Sequence, residues 1–314
     1  MTSKSPTIDP RIILLAVPVI WGINFTVMKI GLQSLSPLTY NTSRLIVATF
    51  ISWILVFILK SYQKVEPADW QAIIVTSLLG FALPQIGITI GVSLTTAGNC
   101  SLIMSLIPVS VWIINSFLGQ EIVTKWATRG VFLSFSGVFL IILGTGSGLS
   151  ISSSDLLGIV IILGAQFCCA YYTVFSKPLV EKYSPYQVIA YTMTISTLVF
   201  IIISFSSLVN VTWTELPSSA WLSIFYSGIL ALAAGNFIWV WGVREIGSTS
   251  TAIFSNVTPI FAILTGCIVL KESLGMIQII GAIIILTGLV ITQRAQRIII
   301  VKEEAAPSIS SSSS

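Results

Sequence analysis

Long apolar segments recur from one end of the chain to the other, and this feature constrains the fold most strongly. Several of them exceed the ~18 residues at which an apolar segment becomes a candidate transmembrane helix. Only 8% of the residues are charged, whereas about a quarter are charged in a soluble domain. We therefore expect an all-α integral membrane protein whose surroundings are mostly lipid.

Ten such segments can be distinguished, joined by short connections that often contain serine, glycine or proline. They cover approximately residues 11–31, 39–59, 70–92, 95–118, 126–145, 155–176, 186–208, 218–241, 248–270 and 274–293. This division predicts an N-terminal segment at 1–10, a first five-helix unit at 11–146 and a second at 155–293. Residues 294–314 are predicted to be a disordered tail, since they end in the low-complexity run PSISSSSS.

The distribution of lysine and arginine predicts the orientation of these spans. If the N-terminus is cytoplasmic, that side carries twelve basic residues, whereas the opposite side carries only Lys29 and Lys271. Cytoplasmic connections of membrane proteins are enriched in Lys and Arg. Both termini are therefore predicted to be cytoplasmic, in a multi-pass protein of the cell membrane.

The second half of the chain repeats the first. At an offset of 151 residues Pro108 corresponds to Pro259, and earlier in each half the offset is 148, so that Lys29 corresponds to Lys177. Because each half holds five spans, the second copy enters the membrane from the opposite side, and the repeats are inverted. Inverted repeats are typical of secondary transporters, whose sites lie near the midplane between the halves.

Several chemistries are disfavoured by composition. The chain has no histidine, which is the usual general base, and its four cysteines lie in apolar runs without zinc or haem spacing. No Walker A pattern is present, and a net charge of +4 is too small and scattered for a nucleic-acid footprint. We expect no metal, no cofactor and no nucleic-acid partner.

Three stretches resemble the EamA-type proteins of the drug/metabolite transporter superfamily. WGINFTVMKIG at 21–31 is followed by a Ser-Pro pair and by Arg44, while GQEIVTKWATRGVFLSFSGV and LKESLGMIQIIGAIIILTGLV close the two halves. The resemblance covers 11–293 and implies a ten-helix carrier with an inverted five-plus-five repeat. In that family four helices of each half surround a central cavity, the fifth is peripheral, and the solutes are small metabolites, often amino acids, and sometimes drugs. The second half departs from the pattern, with CCAYY at 168–172.

Polar residues inside the spans are the candidates for a solute site, because polar groups in hydrocarbon are costly unless they face a cavity or a neighbouring helix. Trp21 and Asn24 lie near the middle of the first span. Lys29 lies about 12 Å from the middle of that span at ~1.5 Å per residue. Its side chain therefore either reaches the outer headgroups or, together with Lys177, flanks the two mouths of a pathway. Arg44 could attract a solute carboxylate or bind backbone carbonyls.

Other candidates come from later spans. Gln85 follows Pro84 and its repeat partner Asn236 follows Gly235, so each amide lies beside a helix breaker, where it could line a site or bond a neighbouring helix. The remaining cavity candidates are two amides and four aromatic residues: Asn99, Asn256, Trp112, Tyr171, Tyr172 and Trp239. The aromatic side chains would suit an amphipathic or ring-bearing solute.

A secondary transporter that exports or exchanges a small solute by alternating access is the function that these features favour. No carboxylate lies near the middle of any span, which argues against a proton relay, and Glu121 and Glu272 at span ends are predicted to be structural. A drug permease of the same fold stays open as an alternative, with a membrane enzyme or a channel less favoured. The expected partners are the solute and the bilayer, and a homodimer is also compatible.

Overall fold

The computed structural model describes residues 9–119, 124–144, 153–273 and 275–305, and within these ranges the chain is helical, without strands. Eight helices are long and apolar enough to cross a membrane. They are α1 (Pro10–Gly31), α2 (Pro37–Ile58), α3 (Pro67–Leu94), α4 (Ala97–Phe117), α6 (Ser154–Lys182), α7 (Pro185–Val209), α8 (Ser218–Ile246) and α9 (Ser248–Val269). Two further helices are α5 (Lys125–Gly144) and α10 (Met276–Ala305), which contains a shorter apolar segment, Met276–Thr292. The prediction of an all-helical, multi-pass membrane protein is confirmed.

The starts of several helices follow from local sequence. Ser36 accepts a hydrogen bond from the backbone N–H of Thr39, and Pro37 occupies the first position of α2, where its missing N–H costs nothing. The Ser184–Pro185 pair begins α7 in the same way, although without a side-chain cap. At the other end of the chain, α10 continues to Ala305, well into the segment that the sequence predicts as a tail.

Four of the spans are irregular near their middle. In α3 the residues Leu78–Ala82 form a π-helix, and in α8 the residues Tyr226–Ala234 do. Single π turns inside α-helices are rare and frequent at functional sites. In α4 the helix breaks before Pro108, and in α9 the residues Ile253–Val257 form a 3₁₀ turn before Pro259, since a proline removes an intrahelical hydrogen bond.

Helices α5 and α10 pack on each other through glycine. A Cβ atom at Gly130 would lie 2.5 Å from the carbonyl oxygen of Gly288, and one at Gly137 would lie 2.7 Å from that of Gly281. Such close approach of two backbones is possible only at very small residues. The pairing is reciprocal, because Gly281 is the repeat partner of Gly130 and Gly288 that of Gly137. The sequence offset of 151 therefore converts the Gly130–Gly288 contact into the Gly281–Gly137 contact.

Helices α2 and α7 are joined by hydroxyl groups. Thr42 and Ser204 lie 2.7 Å apart between their Oγ atoms, and Trp53 Nε1 donates to Thr194 Oγ1 over 2.8 Å. Interhelical hydrogen bonds of this kind stabilise packing in the absence of a hydrophobic driving force between helices. This interface therefore joins a helix from the first half of the chain to a helix from the second.

Candidate functional site

A cavity lies between α1, α2, α3, α4, α6, α8 and α9. Its volume is about 100 Å³ for the centres of water-sized molecules. The π-helices of α3 and α8 and the proline breaks of α4 and α9 all contribute to its wall. Its lining comprises Trp21, Asn24, Phe25, Met28, Arg44, Gly80, Phe81, Pro84, Gln85, Ile88, Met104, Ile107, Cys169, Tyr172, Thr173, Ala231, Leu232, Asn236, Trp239, Ser255 and Thr258.

The lining follows the repeat almost completely. Nine pairs of lining residues are separated by the offsets of 148 or 151, and only Met28, Arg44 and Pro84 are present without their counterparts. The pairs are Trp21 with Cys169, Asn24 with Tyr172, Phe25 with Thr173, Gly80 with Ala231, Phe81 with Leu232, Gln85 with Asn236, Ile88 with Trp239, Met104 with Ser255, and Ile107 with Thr258. The scaffold of the cavity is thus alike in the two halves, whereas its chemistry differs.

Arg44 supplies the charge of the cavity wall. Its side chain is 1% exposed, and Nε donates to Asn41 Oδ1 over 2.6 Å while Nη2 donates to Gln85 Oε1 over 2.7 Å and to Thr89 Oγ1 over 3.1 Å. Nη1 contacts the sulfur of Met28 at 3.2 Å. Every partner is neutral, and among the residues that the structure describes no Asp or Glu forms an ion pair with Arg44.

Two amides of the cavity lining are oriented by their own hydrogen bonds. Gln85 must turn its oxygen to Arg44, since a guanidinium only donates, and Asn24 Oδ1 accepts from Ser227 Oγ. Ser227 is in turn bonded to the hydroxyl of Tyr40, whose ring also lies beneath the Arg44 guanidinium at 5.5 Å. Both amide nitrogens therefore stay available at the cavity wall.

Aromatic side chains form another part of the cavity wall. The rings of Trp21 and Trp239 are 5.0 Å apart, and those of Phe81 and Tyr172 are 5.7 Å apart. Trp21 Nε1 donates to the carbonyl oxygen of Ala231 over 3.0 Å, in the π-helix of α8, and Trp239 Nε1 donates to Thr173 Oγ1 over 3.2 Å. The indoles are thus fixed at their polar ends, and they present apolar surface to a solute.

The third polar feature is on α9. Thr258 is 4% exposed, lines the cavity, and its Oγ1 has no hydrogen-bond partner in the described part of the protein. A buried hydroxyl without a partner costs free energy, which a bound solute or water would recover. Asn236, in contrast, donates to the carbonyl oxygen of Leu232 over 2.8 Å in its own helix.

Comparison with known proteins identifies the family of this chain. The EamA-like transporter family matches residues 11–143 and 156–294. The chain belongs to that family. A relative named "Uncharacterized transporter YyaM", from Bacillus subtilis (strain 168), is 26% identical over 292 residues, covering 91% of this chain and 94% of the relative.

Two other comparisons extend this result. The Salmonella typhimurium (strain LT2) protein named "Probable amino-acid metabolite efflux pump" is 25% identical to this EamA-like chain over 299 residues, covering 88% of the chain and 92% of the relative. A protein of known crystal structure, 13% identical, aligns with a TM-score of 0.70 over 97% of this chain and 99% of its own length. The family and the relatives' names indicate a transporter rather than an enzyme.

The EamA-like fold brings seven of the predicted cavity residues together. They are Trp21, Asn24, Arg44, Gln85, Tyr172, Asn236 and Trp239. The lining also includes residues that sequence reasoning missed, among them Met28, Phe81, Met104, Thr173 and Thr258. Of these, only Thr258 carries a signal that could have been read, because it is a polar residue directly before Pro259 in an apolar span.

Four other predicted cavity residues lie away from this cavity. Asn99 Oδ1 accepts from Gln278 of α10 over 3.0 Å, and Trp112 packs against Ala127 of α5. Tyr171 stacks on Phe175 with ring centroids 4.3 Å apart, and Asn256 is half-buried in the 3₁₀ turn of α9, outside the lining. Each belongs to a helix that does line the cavity, but faces another neighbour.

The two predicted mouth lysines have different surroundings. Lys29 Nζ lies 3.2 Å from Glu272 Oε1, and the same carboxylate accepts from the backbone N–H groups of Ala97 and Gly98 at the start of α4. Lys177 Nζ lies 3.9 Å from Glu181 on its own exposed helix face. Lys29 thus ties α1 of the first half to the α9–α10 connection of the second. Glu121, the repeat partner of Glu272, lies outside the described residues.

Nothing in the described residues resembles a metal centre. No group of three or more His, Cys, Asp or Glu side chains lies together in the parts of the chain that the structure covers. The site therefore consists of one guanidinium, several amides and hydroxyls, and aromatic walls. Such a set can bind and orient a solute.

Proposed function

We propose that this EamA-like protein is a secondary carrier that exports or exchanges a small amphipathic solute by alternating access. In this proposal ten helices form an inverted five-plus-five repeat, with units at 11–146 and 155–293 and both termini cytoplasmic. The cavity at mid-depth is the solute site. The two units would rock against each other and expose the site first to one side and then to the other.

The symmetry of the cavity lining carries this proposal. Nine residue pairs related by the sequence offset line a single cavity, so the cavity lies on the axis that would relate the two halves. The reciprocal glycine pairs of α5 and α10 support the same axis independently. Inverted repeats around a midplane site are the architecture of secondary transporters, whereas an enzyme has no need of them.

The lining also supports a class of solute. Apolar and aromatic walls with a few fixed polar groups are typical of sites for small organic molecules, and here Arg44 is the one charged residue of such a lining. Amino acids and related carboxylic acids share a carboxylate that would match Arg44, and those with an apolar body would also match the walls. The name of the Salmonella relative, an amino-acid metabolite efflux pump, favours the same class and the outward direction.

Counterflow with purified protein in proteoliposomes tests this function. Vesicles are loaded with one unlabelled solute, and uptake of the same labelled solute is followed for a panel of amino acids, organic acids, nucleosides and aromatic cations. A carrier gives a transient overshoot that saturates with concentration. A channel gives no overshoot, and absence of flux for every solute of the panel would refute the proposal.

Variants of the two halves sharpen the test. Trp21 and Trp239 meet across the interface of the halves at 5.0 Å, so we expect Trp239→Leu to weaken solute affinity about tenfold. Trp126, which is exposed on α5, is the matched control, and Trp126→Leu should leave flux unchanged.

A further inference from the structure

We infer that the solute is carried as a monocarboxylate anion, and that its transport therefore moves one negative charge across the membrane. This inference rests on the proposed carrier function and narrows its solute class. It separates organic acids from zwitterionic amino acids, which share the carboxylate but carry no net charge. Three features of the cavity support it.

The first feature is the neutral environment of Arg44. A buried charge is costly unless it is paired, yet the guanidinium has only amide, hydroxyl and thioether partners among the described residues. These four contacts use four of its five N–H groups, which leaves one donor of Nη1. A carboxylate bound there would supply the missing negative charge and reduce the cost of burying Arg44.

The second feature is a pair of amide donors in the lining of the same cavity. The amide oxygen of Gln85 accepts from Arg44, and that of Asn24 accepts from Ser227. Neither amide nitrogen has an acceptor among the described residues. Gln85 and Asn24 are 8% exposed and line the same cavity as Arg44. Two N–H donors beside a guanidinium form an environment that suits the two oxygens of a carboxylate.

The third feature is that the lining offers no anionic partner for an ammonium group. None of the lining residues is Asp or Glu, and the carbonyl oxygen of Ala231 already accepts from Trp21 and from Asn236. The lining also contains the rings of Trp21, Trp239 and Tyr172. An ammonium group would find only ring faces and the neutral hydroxyl of Thr258 as partners, whereas a simple carboxylic acid would place an apolar body there.

A net charge on the solute also gives export a driving force without a coupling ion. A cytoplasm that is negative by 100 mV favours the outward movement of a monoanion by about fifty-fold in concentration. No carboxylate of the described residues lies in the cavity to take up a proton. The membrane potential alone can therefore drive efflux of an organic acid through this site.

A matched series of three probes tests the charge of the solute. 3-Phenylpropanoate, phenylalanine and 3-phenylpropylamine share a phenyl ring but carry an anion, a zwitterion and a cation at pH 7. We expect the anion to bind at least tenfold more tightly than either of the others, measured by calorimetry with purified protein. Equal or tighter binding of phenylalanine or of the amine would overturn the inference, as would absence of anion binding at millimolar concentration.

Variants of Arg44 assign this preference to the proposed site. Arg44→Gln should abolish the preference for 3-phenylpropanoate, and Arg44→Lys should keep it with weaker affinity because the charge remains. Arg244→Gln removes one exposed positive charge at the end of α8 and serves as the control. A preference that survives Arg44→Gln in folded protein contradicts the inference. If neither Arg44 variant folds, the series with the unmodified protein decides.

Proteoliposomes with an imposed potential test the charge movement. With potassium and valinomycin, a lumen-negative potential should accelerate the exit of 3-phenylpropanoate, and reversing the gradient should retard it. Exit that is insensitive to the potential would refute electrogenic transport. The carrier proposal fails separately, if no solute of the broader panel shows counterflow, while counterflow confined to zwitterions or cations would refute only the anion inference.

Discussion

The hydroxyl oxygens of Thr49 and Thr197 lie 2.8 Å apart in the middle of the α2–α7 interface. The two residues are separated by 148 positions, which is the offset that relates the first part of each repeat. Ser134 Oγ likewise donates to the carbonyl oxygen of Ile285 over 3.3 Å, at the second offset of 151. In the proposed inverted repeat, residues that touch their own repeat counterparts would lie on the two-fold axis, so these two contacts support that proposal from different parts of the chain.

A double-mutant cycle tests the Thr49–Thr197 contact. Thr49→Val and Thr197→Val each remove one hydroxyl, so we expect each single change to destabilise the protein, and the double change to cost less than their sum by about 0.6 kcal/mol. Reversible unfolding in detergent micelles measures the three free energies. Thr287→Val on the exposed face of α10 is the control. Strict additivity would contradict a direct bond between the two residues.

The glycine interface of α5 and α10 predicts a larger effect. A Cβ atom at Gly288 would lie 2.5 Å from the carbonyl oxygen of Gly130, so Gly288→Ala forces the two helices apart. We expect a loss of about 1–3 kcal/mol, as for overpacking elsewhere, and a lower thermal transition in detergent. The matched control is Gly164→Ala on α6, where a Cβ atom meets nothing within 4 Å. Equal thermal transition temperatures for the two variants would contradict close packing at Gly288.

The helices and part of the site could be predicted from the sequence, because the position of a residue within an apolar run and its polarity can both be read from the local sequence. Asn24 and Arg44 are polar residues inside long apolar runs, and burial of such residues in lipid is costly enough to indicate a cavity or a polar neighbour. The repeat offset then predicts a site between the halves. For these residues the sequence pattern alone predicts a place in a cavity between the halves.

The direction in which a side chain points could not be predicted. A span that is apolar on all sides has no polar face from which to read its rotation, so Trp112 and Tyr171 could not be assigned to a neighbour. The π-helix in α8 changes the rotation further, because it adds a residue to the turn. The ion-pair partner of Lys29 could not be predicted either, since Glu272 lies in the other half of the chain.

Glu272 is predicted to matter more for stability than Lys29. It accepts from Lys29 and from two backbone N–H groups of α4, whereas Lys29 has this single ion-pair partner among the described residues. Glu272→Ala leaves three donors without an acceptor and should cost about 1–3 kcal/mol, while Lys29→Ala should cost about 1 kcal/mol or less.

The exposed Lys177–Glu181 pair provides the comparison for this prediction. Both side chains are about half exposed, and pairs of this kind contribute about 0.5 kcal/mol or less. Lys177→Ala should therefore leave the thermal transition in detergent nearly unchanged. A larger loss for Lys29→Ala than for Glu272→Ala would show that the backbone N–H groups of α4 do not depend on Glu272.

Asn24 provides the most direct test of the site, because two substitutions there act in different ways. Asn24→Ala removes one donor to the solute and should weaken binding of 3-phenylpropanoate about tenfold. Asn24→Asp places a carboxylate beside the position proposed for the solute anion, so like-charge repulsion should weaken binding further than alanine does. Asn210→Ala, at an exposed amide after α7, should leave binding of 3-phenylpropanoate unchanged.

Tighter binding of 3-phenylpropylamine to Asn24→Asp would still fit this geometry, since a new carboxylate attracts an ammonium group. If anion binding is instead unaffected by either change in folded protein, Asn24 contacts no solute and its amide serves only the packing of α1 against α8.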